Sequence, residues 1–147
     1  MAGLSREQFM ALAAARSAVL ATVSADGRPR TVPICFVIGM TDDGRPAVYS
    51  AIDDKPKAED DPLALARIRD IAGNPLVSVL VDRWDEEWSH LGWLRIDGRA
   101  AVVQPPPAVV SALREKYPQY ADHRLESRPM IRITVERARG WGTLAGD

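Results

Sequence analysis

Short apolar runs rich in β-branched residues recur along the chain, separated by Gly, Asp, Asn and Pro. This pattern predicts strands joined by tight turns. The opening is the exception. Ser5 with Gln8 three residues later makes a capping box, and Phe9, Leu12 and Ala13 supply an apolar stripe, so the chain begins with a helix. "SAVLATVS" then predicts a strand and Asp26-Gly27 a hairpin turn. "RTVPICFVIG" reads as one returning strand, with Pro33 marking an edge, a bulge or a kink. "PAVYSAI" is the third strand and "DDKPKAEDDP" a polar loop. "LALARIRDIAG" predicts a short helix with Leu65, Ile68 and Ala72 on one face and Gly73 as its stop. "LVSVLVD", "LGWLRIDGRAAVV" and "PMIRITVERARGW" complete the strands, with a bend or bulge expected at Gly98. "PPPAVVSALREKYPQY" is a further helix whose prolines sit at its tolerant N-terminal end.

The expected count is six strands and three helices. The strands come mainly as hairpins, without regular βαβ alternation, so a doubly wound parallel sheet is set aside. The expected fold is mainly β: a small antiparallel barrel with peripheral helices, one domain over residues 1–147. Side chains fill a closed barrel of this size, so a ligand must bind outside it or between subunits.

Composition adds limits. A net charge of −1 argues against general nucleic-acid binding. One cysteine, Cys35, rules out an internal disulfide and fits a reducing compartment. Arg6, Glu7 and Arg16 interrupt the apolar N-terminal stretch, so neither a signal peptide nor a membrane span is expected, and a cytoplasmic location is.

Candidate chemistry is sparse. His90, His123 and Cys35 lack zinc-ligand spacing, and no metal site is expected. Serine elbows and glycine-rich phosphate loops are absent, so difficult chemistry would belong to a bound cofactor. Lys55 and Lys57 flank Pro56 just after the third strand, with Arg67 and Arg69 on the next helix. Asp53, Asp54, Glu59, Asp60, Asp61 and Asp70 are interspersed, so a solvated, ion-paired surface is one reading; a clamp for phosphate or carboxylate is the other. Alternation puts Trp93, Arg95 and Asp97 outward and Leu94 and Ile96 inward. With Trp84, Trp88 and Trp141, the outward group suits a subunit interface, a stacked planar ligand, or both.

Taken together, "AVLATVSADGRPRTVPICFVI", "VYSAIDDKPK", "LARIRDIAGNPLVSVLVDRW", "WSHLGWLRIDGRA", "LREKYPQY" and "RARGW" resemble the split β-barrel flavin-binding proteins of the pyridoxamine 5'-phosphate-oxidase-like (PPOX) class. The likeness spans nearly the whole chain and is greatest to the branch that uses coenzyme F420. It implies a six-stranded split barrel forming a homodimer, with two sites at the interface for F420 or, alternatively, FMN. Thr31, Val32, Pro33 and Ile34 would lie near the cofactor ring through their backbone. Tyr49, Ser50, Ala51 and Ile52 would line the ribityl chain. Lys55 and Lys57 would hold the phosphate, helped by Arg67 and Arg69. Trp88, Trp93 and Arg95, with Arg139 and Trp141, would close the site from the other subunit.

The chain departs from the oxidases proper in "GWGTLAGD", which carries no basic residue after Arg139. A C-terminal basic segment holds substrate phosphate in those enzymes, so vitamin B6 oxidation is set aside. The implied activity is hydride transfer from reduced F420 to an unsaturated acceptor, with no catalytic side chain required. The alternatives are an FMN-dependent enzyme of the same fold and a non-catalytic flavin- or haem-binding dimer.

Overall fold

The computed structural model describes residues 3–52 and 65–146. The expected capping box is formed: Ser5 Oγ accepts from the Gln8 amide, and Gln8 Oε1 accepts from the Ser5 amide. It starts α1 (Arg6–Ala14), whose Leu12 is fully buried. The strands are β1 (Ala18–Val23), β2 (Pro29–Ile34), β3 (Val37–Met40), β4 (Pro46–Ala51), β5 (Leu76–Arg83), β6 (Gly92–Val103) and β7 (Met130–Gly142). Helix α2 covers Ala66–Gly73 and α3 covers Pro107–Lys116. Ile71 rather than Ala72 completes the buried face of α2 with Leu65 and Ile68.

The sheet has seven strands, not six, in the order β2-β1-β5-β6-β7-β4-β3, with every pairing antiparallel. The extra strand arises because "RTVPICFVIG" does not run through. It breaks at Cys35 and Phe36, so that β2 pairs with β1 and β3 pairs with β4.

That break makes the sheet curl. In order, β2 and β3 are the two outer strands. Laid flat, six spacings would separate them by about 29 Å. Only Cys35 and Phe36 join them, a reach of roughly 10 Å. The two edges must therefore approach each other, which produces a barrel-like sheet.

Alternation fills the interior. Val77, Val79 and Val81 of β5, Leu94 and Ile96 of β6, and Ile131, Ile133 and Val135 of β7 form one core with Leu20, Phe36 and Val48. A second core lies outside the barrel, where Ala47, Tyr49 and Ala51 of β4 meet Val110, Leu113 and Tyr117 of α3 and its C-cap. Strand β4 is therefore buried on both faces, which explains its largely apolar run, interrupted only by Ser50.

The expected bulge is present: the β6–β7 register shifts between Asp97 and Gly98. A Cβ at Gly98 would stand 2.4 Å from the Thr134 carbonyl oxygen, so only glycine fits this close approach. No described helix is long and apolar enough to cross a membrane.

Candidate cofactor site

The Cys35–Phe36 corner is built by groups distant in sequence. Phe36 donates its amide to the Tyr117 hydroxyl at 3.1 Å, and that hydroxyl lies 3.1 Å from the Phe36 carbonyl and 3.0 Å from the Arg16 carbonyl. The Lys116 ammonium also donates to the Phe36 carbonyl at 2.9 Å and stands 4.1 Å from the centre of the Phe36 ring. Burial, aided by the Arg16 charge, pushes Lys116 down to about 8; burial raises Tyr117. These bonds serve the Phe36 backbone where the chain leaves one edge and joins the other.

The same corner reaches β4. Ser50 Oγ donates to the Cys35 carbonyl at 2.9 Å, and β3 pairs with β4 only from Val37↔Tyr49 onward. The end of β2 and the end of β4 are thus clamped together. Thr31 and Pro33 are exposed, Val32 is half-buried and Ile34 is buried. Tyr49, Ser50, Ala51 and Ile52 are all buried, so their side chains face protein rather than an open groove; the Tyr49 hydroxyl donates to the Met40 carbonyl. Lys55 and Lys57 lie outside the described residues.

Helix α2 sits elsewhere on the barrel. Its buried Asp70 accepts from Thr22 Oγ1 at 2.7 Å and from Arg30 through Nε at 3.0 Å and Nη2 at 2.5 Å. The Arg30 fork, then Thr22, hold the Asp70 carboxyl below the usual carboxylate range against the opposing effect of burial. This pins α2 to the β1–β2 hairpin. Arg67 is half-buried and Arg69 exposed on that helix.

The outward rows follow from the registers. One runs Thr31–Ala21–Ser78–Asp97–Arg137, the next Pro33–Val19–Leu80–Arg95–Arg139, and a third Asp82–Trp93–Trp141. Thr31 and Pro33 therefore share a face with Trp93, Arg95 and Trp141, but β2 and β6 are three strand spacings apart, about 14 Å. Within one chain they do not converge. The face exposes Val19, Leu80 and Trp141, and Trp88 is 69% exposed in the β5–β6 connection. A groove of ≈ 570 Å³ follows the first of these rows, with Ala21, Leu76, Ser78, Asp97 and Arg137 among its walls. Burial works against the Asp97 charge, but the Ser78 hydroxyl at 2.7 Å and Arg137 Nε at 2.8 Å outweigh it and lower the carboxyl.

Among the described residues, no three His, Cys, Asp or Glu side chains gather as a metal site would need. Two contributors to the corner, both within "LREKYPQY", have no role assigned from the sequence. Lys116 and Tyr117 close α3, and the only signal was a cation and an aromatic ring at the end of an amphipathic helix.

A single antiparallel sheet that curls until its two outer strands meet at one corner is consistent with the split-barrel class of proteins. The sequence model of the pyridoxamine 5'-phosphate oxidase family matches residues 4–142, and the chain belongs to that family. No curated protein matches the chain in sequence. Among solved structures, a conserved hypothetical protein of Mycobacterium tuberculosis is 20% identical with a TM-score of 0.70, over 95% of this chain and 86% of that one. An FAD-binding protein of Mesorhizobium loti is 23% identical with a TM-score of 0.58, over 93% and 94%. The heme storage protein HutZ of Vibrio cholerae is 18% identical with a TM-score of 0.60, over 93% and 90%. At these identities the likeness is one of fold.

Proposed function

We propose that two copies of this chain bind a phosphate-bearing redox cofactor between them, coenzyme F420 in preference to FMN, and act as an F420-dependent oxidoreductase. The carrying observation is the Ser50–Cys35 clamp. It holds the stretch Thr31–Ile34, in which Thr31 and Pro33 are exposed, beside the end of β4; in sequence Lys55 and Lys57 follow Ile52 by three and five residues. Strand β2 is an outer strand of the sheet order, and such a strand offers backbone N–H and C=O groups to a ring edge. Lys55 and Lys57 supply point charges for phosphate, helped by Arg67 and Arg69. The second copy supplies Trp88, Trp93, Arg95 and Trp141; the registers and sheet order keep Trp93, Arg95 and Trp141 away from β2 of their own chain.

When bound, the reduced cofactor supplies the hydride for an unsaturated acceptor. The protein's part is to position the ring, exclude water and anchor the phosphate. A second reading, a non-catalytic flavin- or haem-binding dimer, draws on two proteins of this fold described as FAD-binding and as a heme storage protein.

Titration of the protein with F420, FMN and haem separates these readings. F420 is expected to bind most tightly, and reduced F420 to be consumed with a suitable acceptor. Lys55→Ala and Lys57→Ala should each weaken F420 binding by about 1–3 kcal/mol, roughly 5- to 150-fold, as a lost charge-assisted hydrogen bond does. Unchanged affinity in both variants would sink the clamp, and tighter binding of haem than of either flavin would favour the carrier.

A further inference from the structure

We propose that a second cavity, at the other side of the Cys35 corner, binds a planar aromatic carboxylate. The cavity measures ≈ 490 Å³, within the range of small-molecule sites, and is lined by Arg16, Cys35, Tyr117, Gln119, Tyr120 and His123. None of these residues is among those assigned to the redox cofactor, so the proposal goes beyond that reading.

The walls specify the ligand. Tyr117 and Tyr120 have ring centres 5.6 Å apart at 59°, and Tyr120 and His123 lie 5.3 Å apart at 57°. Tilted rings of this kind present both faces and edges to a flat guest. Arg16 is the arginine among the described lining residues. Its guanidinium stands 4.8 Å over the Tyr117 ring, and its Nη2 donates to the Lys116 carbonyl at 2.8 Å. One such bond fixes the guanidinium plane and leaves further N–H donors of the five for a carboxylate. Among the described residues that line the cavity, none is an acid. The half-buried Lys116 ammonium, held over Phe36, adds positive potential behind the same wall. A flat apolar guest with one negative edge matches an aromatic wall ending in one arginine.

Cys35 reports on occupancy, because it lines the cavity and is the only cysteine of the chain. The test follows iodoacetamide labelling of Cys35 by intact mass on cofactor-free protein, with calorimetry in parallel. Phenylacetate and indole-3-acetate are the probes, with phenylacetamide and acetate as controls. The two aromatic acids should slow labelling at least fivefold and saturably. Phenylacetamide should need about ten times the concentration, and acetate should give no protection. Arg16→Gln should raise the half-protecting concentration of the acids at least tenfold and leave that of the amide unchanged. Gln119→Trp, placed at an exposed lining position, should abolish binding while leaving the melting temperature near that of the parent. Three results overturn the proposal: no protection or heat of binding with either acid, equal protection by acetate, or protection by F420 or FMN alone. The last would make the cavity part of the cofactor's own site, while failure of F420 and FMN to bind anywhere would leave protection by the acids intact.

Discussion

Phe36→Ala is expected to lower the free energy of unfolding by about 3–5 kcal/mol, the usual cost of truncating a fully enclosed aromatic side chain. Phe36 has no exposed surface and belongs to the core that fills the barrel. Its backbone is secured separately, by Tyr117 and Lys116, so the substitution deletes packing and leaves those hydrogen bonds available. The Lys116 ammonium loses the ring it stands over as well. Cation–π contacts of this kind contribute about 0.5–2 kcal/mol. Urea unfolding at one fixed protein concentration measures the loss, since self-association of the kind proposed would make apparent stability depend on concentration. A loss under about 1 kcal/mol would show that the corner is not held by its core side chain. Tyr117→Phe is the complementary change. It keeps the ring and strands the buried Phe36 amide, and should cost about 1–3 kcal/mol.

The corner also marks where sequence reasoning stopped. Periodicity made the helices, the hairpin at Asp26-Gly27 and the bulge at Gly98 legible, because each depends on residues near one another in sequence. The inward set Leu94 and Ile96 was legible for the same reason. "PICFVIG" was not. From Ile34 to Ile38 its residues all suit a strand, and what splits it is a tertiary competition. Phe36 is drawn into the core, and its backbone finds partners on Tyr117 and Lys116, some eighty residues away. Pro33 hinted at irregularity but sits inside β2, two residues before the break. The candidate site divides likewise. That Trp93 and Arg95 point outward follows from alternation, but that they stand three strands from β2 follows only from sheet order. Asp70 was counted among acids that dilute a basic patch, whereas it is buried and holds α2 to the hairpin. Nothing in "ARIRDIAG" distinguishes a buried acid from a solvated one; the partners Thr22 and Arg30 lie forty or more residues earlier.

That misread acid carries the second large effect. Asp70→Asn should cost about 3 kcal/mol of stability, near the upper end for a hydrogen bond to a charged group, because Asp70 is 3% exposed and serves three donors. An amide keeps the shape but has one acceptor oxygen, and its NH2 group turns donors toward the Arg30 fork. The full cost of an isolated buried charge is not reached, because the Arg30 side chain is 43% exposed and water can take over part of its solvation. The acid dependence has a definite sign. The folded state lowers the Asp70 pKa, so the unfolded chain binds the proton more readily. The contribution is complete above the ordinary carboxylate value of about 3.9 and is lost as pH falls through the lower folded value. Parent and variant should therefore differ by a constant amount from about pH 7 down to about pH 5. Their urea midpoints should converge below about pH 4, as the parent's Asp70 takes up its proton. A gap that persists undiminished to pH 2 would mean that packing around the carboxyl, not its charge, holds α2 to the β1–β2 hairpin.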